Sequence, residues 1–138
     1  MTAADELLDS VVSDVLETMF FSGVFGPGTQ TDGPHLAARV SFTGSHQGAL
    51  EVAATEATAR ALAGSFLGVM EDEVPEGQAP ALLGEMANVL CGAVLGRMEP
   101  QGRFLIAPPE AASGEDPGGV KHVFELAEGW LSVSWRVE

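Results

Sequence analysis

An α+β fold, with helices packed on one face of a mostly antiparallel sheet, is predicted by three features of this sequence. Apolar residues recur at three-and-four spacing near the N-terminus and again from Ala79 to Met98, the pattern of helices that bury one stripe. Two short runs, His35 to Phe42 and Ala49 to Ala54, flank a turn with two glycines, which reads as an antiparallel hairpin. The C-terminal runs Val120 to Leu126 and Trp130 to Val137 alternate around Ala127-Glu128-Gly129. The expected order is α-β-β-α-α-β-β-β, and 138 residues suffice for one domain, 1–138, with its own core.

From about Ala4 to Phe21 the pairs Leu7-Leu8, Val11-Val12, Val15-Leu16 and Met19-Phe20 repeat every four residues and mark the first helix. Thr2 and Asp5 resemble a capping pair, and Gly23 is placed to stop the helix. The segment SGVFGPGTQTDGP is rich in Gly, Pro and Asp and is expected to be an exposed connection. After the hairpin, Thr55 caps a helix from Glu56 to Leu67, which Gly68 ends. The acidic VMEDEVPEGQ leads to the central helix, whose first turn accepts Pro80. Phe104 to Ala107 is a short strand stopped by Pro108-Pro109, and Glu110 to Gly119 is a polar loop. Leu131, Val133, Trp135 and Val137 share the strand face expected to meet the helices.

Twenty acidic against six basic residues give a formal net charge of −14, which disfavours nucleic acid and anionic membrane surfaces as partners. No uninterrupted apolar run approaches a membrane span, and the acidic start MTAADELLDS lacks a secretory signal's basic and apolar segments. A cytoplasmic protein is the expectation. The lone Cys91 lies among apolar residues and reads as a small buried hydrophobe. His35, His46 and His122 lack the paired spacing of a zinc site, so no metal is expected on this chain. Phosphate-cradling, nucleophile-elbow and dinucleotide motifs are absent from the sequence.

The central helix carries the candidate site. Leu82, Met86, Val89, Ala93 and Gly96 define its expected core stripe. Glu85 and Asn88, three residues apart, leave on a different stripe in nearly one direction, with Gly92 a turn beyond. Asn is a poor interior helix residue, and Gly84, Gly92 and Gly96 each cost about 1 kcal/mol relative to Ala. A helix that keeps all of them gains something elsewhere.

The run GEMANVLCG resembles the signature of the CheC, CheX and FliY chemotaxis phosphatases: an Asp or Ser, three residues, Glu, two residues, Asn, and a Pro roughly twenty residues on. Glu85 and Asn88 match it. The likeness extends to ETMFF (Glu17 to Phe21), the hairpin VSFTGSHQGALEV, the helix ending SFLG, and Pro108-Pro109. A single motif copy makes the resemblance one to CheX rather than to two-site CheC. Ala81 stands where the pattern has Asp or Ser, and the prolines arrive slightly early.

The resemblance implies a CheC-like fold and hydrolysis of the aspartyl phosphate on a CheY-like response-regulator receiver domain. Asn88 would hold the attacking water, and Glu85 would pair with the regulator's lysine. Gly84 and Gly92 would allow close approach, and Pro109 or Pro108 would shape the neighbouring wall. Mg²⁺ would come from the phosphorylated receiver rather than from this chain, and a homodimer is implied. Two other readings stand beside this one. Ala81 and the shifted prolines favour a non-catalytic receiver-binding module, and an uncovered terminal strand, Trp130 to Val137, would suit a switch-type interaction domain.

Overall fold

The computed structural model of the chain describes residues 3–31, 35–112 and 119–138. Three helices, α1 (Ala3–Met19), α2 (Glu56–Leu67) and α3 (Gln78–Met98), cover one face of a sheet. Its strands are β1 (Val24–Pro27), β2 (His35–Gly44), β3 (Gly48–Thr55), β4 (Phe104–Ile106), β5 (Glu110–Ala111), β6 (Val120–Leu126) and β7 (Gly129–Val137). They run in the spatial order β1-β6-β7-β3-β2-β4, with β5 also on β2, and every described pairing is antiparallel.

The core lies between helices and sheet. Val40 and Phe42 from β2, Leu50 and Val52 from β3, and Leu131, Val133 and Trp135 from β7 meet Leu8, Val12 and Leu16 of α1 and Leu83, Met86 and Leu90 of α3. Strand alternation explains this, because each contributes every second residue to the helix side. Val137 falls on the same alternation but is 38% exposed, since it sits beyond the layer that the helices cover. The opposite face carries small side chains, Ala49, Ala53, Ser132 and Ser134, around the buried carboxylate of Glu51.

Helix ends follow local chemistry. The Thr55 hydroxyl accepts from the Thr58 N–H at 3.0 Å, and Gly68, at φ 74°, closes α2. Helix α1 ends at Met19 rather than Phe21. Phe21 takes the left-handed conformation, φ 56°, while the Ser22 N–H donates to the Leu16 carbonyl at 2.9 Å. A phenylalanine thus fills the role expected of Gly23. The proposed Thr2 cap lies outside the described residues.

Four other expectations are corrected. Val24–Pro27 is a strand rather than an exposed connection; its glycine and proline are tolerated because β1 lies at the sheet edge, with a register shift between Val24 and Gly26. Within the expected polar loop, Glu110 and Ala111 pair with Arg39 and Ala38. The strand Trp130–Val137 is no edge, because β7 lies between β6 and β3, so pairing of two molecules through it is closed. The core stripe of α3 also differs. Leu83, Met86, Ala87, Leu90, Cys91 and Val94 are buried, whereas Val89 and Ala93 are half-buried and Gly96 is exposed. At about 100° per residue, the buried face centres on Leu83, Ala87, Leu90 and Val94, roughly a quarter turn round the helix from the stripe expected.

Helix α3 has the length and mean hydropathy, 1.4, of a bilayer span. Its apolarity is that of a core helix, with Leu83, Met86, Ala87, Leu90 and Cys91 fully covered.

Candidate functional site

Helix α3 presents Glu85, exposed, and Asn88, half-buried, on the side away from the sheet. At about 100° per residue their directions differ by roughly 60°, so carboxylate and carboxamide share one outward stripe. Ala81 and Gly92 extend that stripe by a turn either way, and both are exposed. Among the described residues, no hydrogen bond or ion pair holds the side chain of Glu85 or Asn88. Both polar groups are therefore available to a partner.

The stripe is walled on both flanks. On one, Pro109 lies over the buried Gly84, and a Cβ at position 84 would stand 3.3 Å from both Cβ and Cγ of the proline. Further along, a Cβ at Gly92 would meet Ile106 Cδ1 at 3.8 Å. On the other flank α2 leaves a groove of about 260 Å³, bounded by Phe66, Leu67, Gln78, Ala81, Leu82 and Glu85. The structure thus brings Gly84, Glu85, Asn88, Gly92 and Pro109 to one surface. Their spacing in sequence predicted that for Glu85, Asn88 and Gly92; Gly84 entered only through the family resemblance, and Pro109 reaches them because β2 is paired by both β4 and β5, which brings the intervening turn back beside α3.

Phe66 and Leu67 lie outside the sequence expectation of the site. The signal was the apolar run Phe66-Leu67-Gly68-Val69-Met70 at a helix end, where the amphipathic period calls for fewer apolar residues. A larger cleft, about 610 Å³, opens between α1 and the β1–β6 edge beside Asp9, Ser13 and His122 and contains none of the site residues.

Elsewhere the titratable groups are structural. His122 Nδ1 lies 2.5 Å from Asp9 Oδ1 and its Nε2 lies 2.6 Å from Asp5 Oδ1, pinning α1 to β6. Burial alone would lower the imidazole's pKa, but bonds to Asp9 and Asp5 and their charges outweigh it and leave the pKa raised. The spacing of Asp5 and Asp9, four apart on α1, was the overlooked sequence signal. His46 pairs with Glu99 at 2.7 Å on the surface. Burial pushes the Cys91 thiol up to about 12, so it is an inert core group. No cluster suited to a metal occurs among the described residues.

The sequence profile of the family described as chemotaxis phosphatase CheX matches residues 36–122, well over half of the chain and including Glu85, Asn88 and Pro109. The chain belongs to the CheX family. Solved structures of CheX proteins share its fold. The CheX of Desulfovibrio desulfuricans is 20% identical with a TM-score of 0.76, the match covering 99% of this chain and 100% of that one. The CheX of Vibrio vulnificus is 19% identical, TM-score 0.76, over 99% and 97%. The CheX of Borrelia burgdorferi, solved as a CheX–CheY–BeF₃–Mg²⁺ complex, is 17% identical, TM-score 0.72, over 100% and 99%. Comparison with curated proteins finds no match. In this CheX-family chain the α3 stripe therefore sits on a fold that the relatives share along essentially their whole length.

Proposed function

We propose that this protein hydrolyses the aspartyl phosphate of a CheY-like receiver domain in the cytoplasm, with Asn88 positioning water and Glu85 docking on the receiver's lysine. The observation that carries this reading is the outward Glu85–Asn88 pair, unencumbered by internal partners on a stripe walled by Pro109 and α2. In the Borrelia complex a CheX protein meets CheY bearing BeF₃, whose shape and charge stand in for a phosphoryl group, together with Mg²⁺. That complex belongs to the Borrelia protein, and the shared family supports carrying the partner class to this chain.

The chemistry suits the residues. Water attacks phosphorus, the bond to the aspartate oxygen breaks, and inorganic phosphate and a free carboxylate result. An acyl phosphate already bears a good leaving group, and the receiver's own Mg²⁺ offsets the charge that develops, so this chain supplies mainly position. The Asn88 carboxamide accepts a hydrogen bond from the water through its oxygen and donates from its NH₂ toward the phosphoryl group. Glu85, one turn away, fixes the register by a charge-assisted contact. Replacement of Asn88 by Ala tests the reading: accelerated dephosphorylation is lost while the fold persists.

A receiver-binding module without turnover is the second reading, and Ala81, in place of the pattern's Asp or Ser, favours it. It predicts binding of phosphorylated receiver with no change in the phosphate's lifetime.

A further inference from the structure

The groove between α2 and α3 is apolar where it meets Glu85. Phe66 is 44% and Leu67 45% exposed, and Val69 and Met70 continue the patch at 39% and 69%. These residues are not loose. The Phe66 ring lies 5.6 Å from that of the fully buried Phe20, and the Val69 N–H donates to the Gly64 carbonyl at 2.9 Å. The fold holds an apolar surface open beside its polar stripe, the mark of a docking site.

We propose that this groove receives an apolar side chain of the phosphorylated receiver domain itself, and that Ala81 sets its selectivity. The inference rests on the phosphatase reading above. Glu85 is one wall of the groove, so a receiver whose lysine reaches Glu85 and whose phosphoaspartate reaches Asn88 covers Phe66 and Leu67 as well. A space of about 260 Å³ accommodates a side chain the size of Leu or Met. Glu71, Asp72 and Glu73 follow directly after the patch, so the complementary surface is an apolar anchor flanked by basic residues.

Ala81 turns a methyl group to this groove at the position where the family pattern has Asp or Ser. A carboxylate there would lose its hydration beneath an incoming apolar side chain, whereas a methyl group gains by burial. Ala81 thus makes the groove selective for receivers that present an apolar anchor.

The test compares wild type with Ala81→Asp and Leu67→Ser on a phosphorylated receiver with Mg²⁺, reading KM and kcat separately and Kd for the receiver carrying BeF₃. Both positions are exposed, and thermal unfolding verifies that both variants fold. The expected result is a KM and Kd raised about tenfold in each variant, with kcat retained within about twofold in Leu67→Ser. Unchanged KM and Kd in both, or tighter binding by Ala81→Asp, overturns the groove proposal while leaving the phosphatase reading intact. A wild type that binds without shortening the phosphate's lifetime sinks the phosphatase reading, and Kd then decides the groove. A wild type that neither binds nor accelerates overturns both.

Discussion

Gly84 lets Pro109 settle against α3: a Cβ at position 84 would lie 3.3 Å from two atoms of the proline ring. Such a contact would be tighter than ordinary packing; without it, the proline sets one wall of the stripe that carries Glu85 and Asn88. Gly84→Ala separates stability from function. Alanine gains about 1 kcal/mol in helix propensity, and the exposed Pro109 yields by a few tenths of an ångström. Thermal stability is expected to hold or rise, while receiver dephosphorylation slows because the wall has moved. A variant both stable and fully active would show that Pro109's position is irrelevant.

Arg39 and Glu51 face each other across β2 and β3. Arg39 donates from Nε at 3.1 Å and from Nη2 at 2.8 Å to the same carboxylate oxygen of Glu51, which is only 3% exposed. Arg39→Ala leaves that carboxylate buried without its cation and is expected to destabilise the fold by roughly 2 kcal/mol. Replacing both residues by leucine restores much of it. Denaturant unfolding of the single and double variants measures the difference.

His122 makes stability pH-dependent in a direction the geometry dictates. Its folded pKa is raised above the ordinary 6.5 by Asp9 and Asp5 despite the opposing effect of burial. A group whose folded pKa exceeds its unfolded one stabilises fully below the unfolded value and loses that contribution as pH rises through the folded value. The melting temperature is therefore expected to fall as pH rises from about 6.5 through the raised pKa, and His122→Gln removes that part of the slope.

Cys91 lies wholly inside α3's buried face, its thiol pushed up to about 12. Thiolate is the reactive species, so a thiol reagent at neutral pH is expected to label Cys91 only in denaturant. Rapid labelling of folded protein would contradict the packing.

Where side chains alone decide an element, the sequence was legible. Thr55 and Gly68 bounded α2 to the residue, because a hydroxyl cap and a left-handed glycine act within one turn. Glu85 and Asn88 were legible for the same reason, since helical geometry alone aligns residues three apart. What escaped depends on distant chain. Val24–Pro27 reads as loop until β6 supplies its partner, β7 reads as an edge until β6 and β3 flank it, and the exposure of Phe66 and Leu67 follows from how α2 lies beside α3. The offset of α3's buried face from Val89 and Gly96 likewise follows from which elements cover it.

The outward pair on α3 is most directly tested by the decay of phosphorylated receiver with Mg²⁺, in the presence of wild-type protein and of Asn88→Ala. Wild type is expected to accelerate phosphate release, and Asn88→Ala to return it to the receiver's intrinsic rate with an unchanged melting temperature. Equal decay with both proteins would contradict the assignment of Asn88.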